Sequence, residues 1–150
     1  MKKFAFKLEA ALSLKKHKEK MVMQEIGVLN TEKERAEHGV KTLLEEETAL
    51  KQARQKLLEK GVNGARILAS QGYEKRLSKG RQELFAHIET VKGHLDVKKG
   101  ELAACALERK TVESLKERQK ERFLKESLKS QIKEDDEASL IHRAARSQRS

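Results

Sequence analysis

An apolar residue recurs along the first part of this sequence in alternating steps of four and three. Counting from Leu8 to Leu57 gives fifteen such positions, and ten of them are apolar. The ten are Leu8, Leu12, Val22, Ile26, Leu29, Ala36, Val40, Leu43, Leu50 and Leu57. A four-three repeat held over about seven heptads is typical of the contact line, or seam, of a coiled coil. The sequence therefore predicts one long helix, from about residue 5 to about residue 60.

The same count resumes after a short glycine-containing segment. Residues 61–64 read Gly-Val-Asn-Gly, and glycine and asparagine are the residue types that end helices. From Ile67 to Phe123 the repeat covers seventeen positions, of which ten are apolar. Two long helices joined by so short a turn fold back on each other. The predicted fold is an all-α, two-helix antiparallel coiled-coil hairpin that forms a single domain. Its expected parts are helix one at about 5–60, a turn at about 61–65, helix two at about 66–142 and a flexible tail at 143–150.

The register of the hairpin follows from pairing the two seams about this turn. If the turn is centred between residues 63 and 64, paired seam positions have numbers that sum to 127 or 128, so Val40 meets Ile88. The same register opposes unlike charges at three seam positions. These predicted pairs are Glu19 with Arg109, Glu47 with Arg81, and Arg54 with Glu74. Polar seam positions fix register at some cost in stability, so we expect these pairs to specify the alignment.

The second helix is expected to extend beyond the first. Gln119 is the seam partner of Leu8, and 31 residues follow Gln119. A helix without a tertiary partner is only marginally stable in water. Apolar residues nevertheless form a loose stripe along this segment, namely Phe123, Leu124, Leu128, Ile132, Leu140 and Ile141. Such an exposed stripe usually awaits a partner, so we expect it to form a binding surface together with Phe4 and Phe6.

Composition and motifs exclude several other classes of protein. The chain has 150 residues, of which 39% are charged and 3% aromatic, and it has no proline. No apolar run approaches the roughly 18 residues needed to cross a bilayer, so we expect a soluble protein without membrane insertion. The sequence has no phosphate-binding glycine loop and no histidine pair at metal-ligand spacing. Its runs of Glu and Asp are not set in a concave site that acid/base catalysis would need. We therefore predict no catalytic residue, no metal and no cofactor, and Cys105 is expected to be a buried seam residue.

The formal charge of +10 raises the alternative of a nucleic-acid partner. Nucleic-acid surfaces cluster Lys and Arg, often with interleaved aromatic residues. Here basic and acidic residues alternate instead, as in residues 116–122, which is usual for long exposed helices. We therefore expect that the protein does not bind nucleic acid. A basic coiled coil that binds nucleic acid or the ribosome, and a generic structural coiled coil, stay as alternatives of a different class.

Segments at both termini and at the central turn resemble those of a known protein family. The chain opens with Phe-Ala-Phe-Lys-Leu-Glu at residues 4–9, before a Lys/Glu-rich helix. It closes with Leu-Lys-Glu-Arg-Gln at 115–119, Asp136-Glu137, and Arg-Ala-Ala-Arg at 143–146. In types and spacing these segments resemble the flagellar type III export protein family FliJ, with the turn and Tyr73 where that family has its hairpin tip.

The resemblance implies a non-enzymatic protein similar to the central stalk of rotary ATPases. By resemblance, the open end of the hairpin binds the hexameric export ATPase, and surface nearer the tip contacts the membrane export gate protein. Family members are also expected to escort empty export chaperones. The implied location is cytoplasmic, peripherally associated with the inner membrane at the flagellar base. The equivalent stalk of a virulence type III secretion system stays as an alternative.

The resemblance also assigns residues to these contacts. The expected ATPase-binding residues are Phe4, Phe6, Phe123, Leu124, Leu128 and Ile132. The expected export-gate residues are Tyr73 and His87, because Leu77 and Leu84 belong to the seam.

Overall fold

The computed structural model describes residues 2–61 and 64–149. Over these residues the chain forms two α-helices and no strand: α1 is Glu9–Glu59 and α2 is Gly64–Gln148. The two helices pack against each other, which confirms the prediction of an all-α helical hairpin. Within the same ranges, neither helix has a stretch apolar enough to span a membrane.

The first helix begins at Glu9 rather than at about residue 5. Lys7 and Leu8 form a turn, and the Glu9 N–H donates a hydrogen bond to the Phe6 carbonyl at 3.2 Å. The Phe6 side chain is buried, so the chain packs this ring in a non-helical conformation before the helix starts. Glu9 then places a carboxylate in the first turn, where the helix dipole favours negative charge.

The chain leaves α1 through Gly61. This residue has a φ of +72°, in the left-handed region that glycine adopts without a steric penalty. Its N–H donates to the Leu58 carbonyl at 3.3 Å, which satisfies one of the last carbonyls of the helix. Val62 and Asn63, within the turn predicted at 61–65, lie outside the described residues, and α2 already begins at Gly64.

The second helix runs to Gln148 instead of ending at about residue 142. From residue 101 onward the sequence has neither glycine nor proline, so nothing there interrupts the helical hydrogen bonds. Arg146 lies in the last turn, where the helix dipole favours a positive charge. Residues 143–148, which the sequence pattern assigned to a flexible tail, are helical in the structure.

The packing groups the chain into two compact units. The first unit consists of Met1–Lys18 and Ala104–Ser150, and the second of Glu19–Ala103. In a pair of long helices each side chain contacts only the stretch of the other helix beside it. Contacts therefore group locally instead of converging on one core.

In the second unit the predicted seam is the core. Ala36, Val40 and Ile88 are buried in one cluster, and Leu84 packs against it. The cluster contains both members of the predicted pair Val40 and Ile88. The charged seam positions of this unit, such as Arg54, are half-buried or buried as well.

Two leucines of this seam pack against glycines of the opposite helix. The Leu84 Cδ1 atom lies 3.0 Å from the position that a Cβ on Gly39 would occupy, and Leu43 Cδ1 lies 3.5 Å from that position on Gly80. The absent side chains leave space that the leucines fill. Glycine at these two positions therefore lets the helices approach closely.

In the first unit the buried residues are Phe6, Leu12 and Cys105. Leu12 is 1% exposed and is the most completely buried of the three. Cys105 is a free, buried thiol at a seam position, as the repeat predicts.

Candidate partner-binding surfaces

Residues 2–8, which we call the amino-terminal strap, bring together three of the six predicted ATPase-binding residues. The ring centroids of Phe4 and Phe123 lie 5.6 Å apart at an angle of 50°, a favourable tilted geometry. Phe6 is only 9% exposed, and Lys116 Nζ lies 6.0 Å from its ring centroid. The structure therefore uses the Phe6 ring to hold the strap on α2, which leaves little of that ring available to a partner.

The other three predicted ATPase-binding residues form what we call the carboxyl-terminal stripe. Leu124, Leu128 and Ile132 are 56%, 59% and 52% exposed. They follow each other at intervals of four residues, so they share one face of α2. All residues from 128 to 149 are exposed, which means that no described part of the chain covers this segment. The stripe is an apolar face that no residue in 2–61 or 64–149 covers.

The two predicted export-gate residues make contacts of their own within the second unit. The Tyr73 hydroxyl donates to Glu46 Oε2 at 3.4 Å, and the Arg76 guanidinium lies 5.8 Å from the tyrosine ring centroid. His87 Nε2 lies 3.0 Å from Glu32 Oε1. Both side chains are nevertheless exposed, at 42% for Tyr73, so each presents part of its surface outward.

Two of the three predicted seam charge pairs are present as ion pairs. Arg54 Nη1 lies 2.6 Å from Glu74 Oε2, and Arg81 Nε lies 3.4 Å from Glu47 Oε1. In the second pair Glu47 is buried and Arg81 is partly exposed, and the two closest atoms are buried without a well-formed hydrogen bond.

The third predicted pair, Glu19 with Arg109, joins residues assigned to different units and stays a prediction. Within its own unit, Arg109 Nη1 donates to Glu113 Oε2 at 2.8 Å.

Ion pairs between lysines of the seam and glutamates next to it were not predicted from the sequence. Lys98 pairs with Glu25 of α1 and with Glu101 of its own helix. These two hydrogen bonds raise the pKa of the Lys98 ammonium above its ordinary value of 10.5, so the side chain stays charged at neutral pH. In the first unit, Lys15 pairs with Glu108 at 3.2 Å and Lys116 with Glu9 at 2.7 Å. The signal for such pairs is a lysine on the repeat of one helix and a glutamate next to the repeat of the other.

An apolar groove in the second unit was also missed. It has a volume of about 420 Å³ and lies between Met21 and Val28 of α1 and His94 and Lys98 of α2. Met21 and Val28 are seven residues apart, one heptad, and this spacing is the sequence signal that could have indicated a second apolar line beside the seam.

The chemistry of the described residues offers no metal site. Over the ranges 2–61 and 64–149, no group of three His, Cys, Asp or Glu side chains is placed to hold a metal ion. The surfaces described above are apolar, aromatic and charged faces of helices, which suit protein–protein contact.

Comparison with known proteins places the chain in a family. No curated protein matches it, and no solved structure matches it. A family model described as "Flagellar FliJ protein" matches residues 4–149, nearly the whole chain. The chain therefore belongs to the flagellar FliJ protein family, whose members are non-catalytic components associated with flagellar type III export.

Proposed function

We propose that this protein is a non-enzymatic stalk and chaperone-escort component of the flagellar export apparatus. In this proposal the strap and the carboxyl-terminal stripe bind the hexameric export ATPase ring, and surface around Tyr73 and His87 contacts the membrane export gate protein. The protein would then act in the cytoplasm, held peripherally at the inner membrane of the flagellar base by these contacts.

The observation that carries the ATPase assignment is the exposure of α2 beyond the strap. Leu124, Leu128 and Ile132 are each more than half exposed, and Leu140 and Ile141 are more exposed still. A helical face of this kind costs free energy in water, because its apolar area stays hydrated until another protein covers it. Because the family is associated with flagellar export, we propose the export ATPase as that protein.

Removal of residues 127–150 tests the ATPase assignment. The seam positions from 8 to 119 remain in the truncated chain, so we expect its helices to pack as before while stimulation of the export ATPase is lost. A second variant, Leu124→Ser with Leu128→Ser and Ile132→Ser, should give the same loss without shortening the chain. The matched control replaces three leucines that are at least as exposed, Leu58, Leu68 and Leu107, by serine. Full stimulation by the truncated chain would reject the assignment.

The gate assignment has its own test. Tyr73→Ala combined with His87→Ala should weaken binding to the export gate while the far-ultraviolet circular dichroism stays unchanged. Gln71→Ala combined with Gln82→Ala, at two exposed positions of the same helix, is the control. Tyr73→Phe separates the ring from the hydroxyl that donates to Glu46. If the Tyr73 and His87 double variant binds the gate with full affinity, these residues do not form the contact.

Chaperone escort rests on family membership and is tested by co-purification. The full chain should retain a flagellar export chaperone that carries no cargo, and should release it when cargo is added. Equal retention of the loaded and empty chaperone would contradict an escort role.

A further inference from the structure

The amino-terminal strap and α2 enclose a groove, which we call the strap groove. Its volume is about 410 Å³. Residues 2–5 form one side, and four residues of α2 form the other, namely Gln119, Arg122, Phe123 and Glu126. Since the Phe4 ring packs against the Phe123 ring, the groove has an aromatic wall.

Three cations line the strap groove, and we call Lys2, Lys3 and Arg122 the groove cations. All three are exposed, and none of them has an ion-pair partner among the residues that the structure describes. The contacts that hold the strap use other side chains, since the Phe6 ring is buried and Lys116 lies over it. The groove cations are therefore free to bind a ligand without loosening the strap.

The surroundings of the groove are strongly basic. Residues 2–8 and 118–126 together carry seven basic side chains and two acidic ones. Among the groove walls themselves, Glu126 is the single carboxylate beside the three cations. Such a concentration of one sign of charge attracts an anionic ligand and accelerates its association.

The form of the groove favours a peptide over a nucleic acid. Single-stranded nucleic acid binds by stacking its bases on exposed aromatic faces. Here the rings of Phe4 and Phe123 pack on each other and Phe6 is buried, so no free aromatic face is offered to a base. An acidic peptide needs no base stacking, because its carboxylates pair with Lys and Arg and its apolar side chains pack on the aromatic wall.

We propose that the strap groove binds an acidic peptide segment of the export ATPase. The carboxylates of that segment pair with the groove cations, and an adjoining apolar side chain lies against the aromatic wall. The identity of the bound protein rests on the proposed function. The chemistry of the ligand, acidic with an apolar residue, rests on the groove alone.

Charge reversal in the full chain tests the proposal against the ATPase. Labelled ATPase is titrated with the wild-type chain and with the variant Lys2→Glu, Lys3→Glu, Arg122→Glu, at low and at physiological salt. We expect the variant to bind roughly tenfold or more weakly and to lose most of the salt dependence. The control variant Lys16→Glu, Lys18→Glu, Lys20→Glu has the same net charge, changes three exposed lysines without an ion-pair partner among the described residues, and should bind like wild type.

A second titration examines the groove without the ATPase. The probe is a fluorescein-labelled peptide Glu-Asp-Phe-Glu-Asp, with Gln-Asn-Phe-Gln-Asn as its neutral counterpart. The wild-type chain and the lysine control should bind the acidic probe, and the groove variant should not. Equal binding of the acidic probe by all three proteins would reject the groove as its binding site. Displacement of the probe by a thymidine oligonucleotide that binds more tightly would reject an acidic peptide as the ligand.

The two titrations separate failure of the inference from failure of the proposed function. If the wild-type chain binds the acidic probe but no ATPase, the proposed function fails and the groove chemistry stands. If the ATPase binds wild type and groove variant equally, the ATPase contact lies elsewhere and the assignment of its segment to the groove is overturned.

Discussion

Glu47 is the buried charged residue among those that the structure describes, at 7% exposed. Its carboxylate faces Arg81 across the seam, but the contact of 3.4 Å between Oε1 and Nε lacks hydrogen-bond geometry. Burial of two charges costs free energy that an imperfect ion pair does not fully return. The pair instead specifies the alignment of the two helices. A shift of one heptad would place the Glu47 carboxylate opposite a residue that is not basic.

Substitution of this pair tests that balance. Arg81→Leu alone leaves the buried Glu47 carboxylate without a counter-charge, and we expect it to lower the free energy of unfolding by roughly 1–3 kcal/mol. The double variant Glu47→Leu, Arg81→Leu should unfold at the same urea concentration as wild type or at a higher one. If the double variant unfolded at a lower urea concentration than wild type, the ion pair would be a net source of stability.

At the residue scale, the sequence predicts seam positions better than it predicts contacts beside the seam. Arg54 and Glu74 are opposed because their numbers fix their places in the repeat, and the structure contains this pair. Phe6 precedes the helix, so no repeat could indicate that its ring is buried. The Tyr73 hydrogen bond to Glu46 depends on the local rotation of two side chains, which spacing along the chain does not determine.

The two helices owe their positions to the repeat and their ends to other features. The seam pattern identifies α1 and α2 because the apolar residues of the repeat recur along one face of each helix. The pattern could not locate the start of α1 at Glu9, because the preceding strap packs in a non-helical conformation. Nor could it locate the end of α2 at Gln148, because no part of α1 lies opposite that end. Helix ends depend on local turns and on interruptions in hydrogen bonding, neither of which follows the seven-residue period.

Replacement of a helical glycine by alanine should change the free energy of unfolding by different amounts at different positions. A Cβ on Gly93 or Gly100 would meet no atom within 4 Å, so alanine there should raise the free energy of unfolding by about 1 kcal/mol through helix propensity. A Cβ on Gly39 would lie 3.0 Å from Leu84 Cδ1, and this crowding should cancel the gain. Urea unfolding of the three single variants measures the difference. An equal increase for Gly39→Ala would contradict the close packing.

The alignment of α1 with α2 is tested by disulfide crosslinking. Cysteines in place of Val40 and Ile88, in a Cys105→Ser background, should crosslink on mild oxidation because both residues lie in one buried cluster. A cysteine at 81 or at 95 in place of the one at 88 lies one heptad away and should crosslink poorly. Preferential crosslinking of residue 40 to either of these positions would reject the alignment.

Across the whole molecule, tertiary contacts are unevenly distributed along α2. The seam of α2 is buried at Ile88, Val91 and Leu95, whereas every residue from 128 to 149 is exposed. Helices without tertiary packing open readily, and their amides exchange sooner than those of packed helices. The binding surface proposed here therefore belongs to the least stabilised part of the chain.

Hydrogen exchange measures this gradient. Amides of residues 128–148 should exchange at least about tenfold faster than those of 82–103 in the free chain, because opening them breaks no tertiary contact. Addition of the export ATPase should slow exchange in 128–148 if the carboxyl-terminal stripe docks there. Uniform protection along α2 in the free chain would mean that the exposed segment has a partner, such as a second copy.

The pairing of Glu9 with Lys116 also has a consequence for synthesis on the ribosome. About a hundred residues separate the two members of this ion pair, which lie in the same compact unit. At roughly 5–20 residues per second, Leu12 and its neighbours wait roughly 5–20 seconds for the residues that bury them. During that interval the nascent chain displays the apolar line of its first helix to whatever surrounds the ribosome exit. A cell that makes this protein must tolerate or shield an unpaired helix every time the chain is translated.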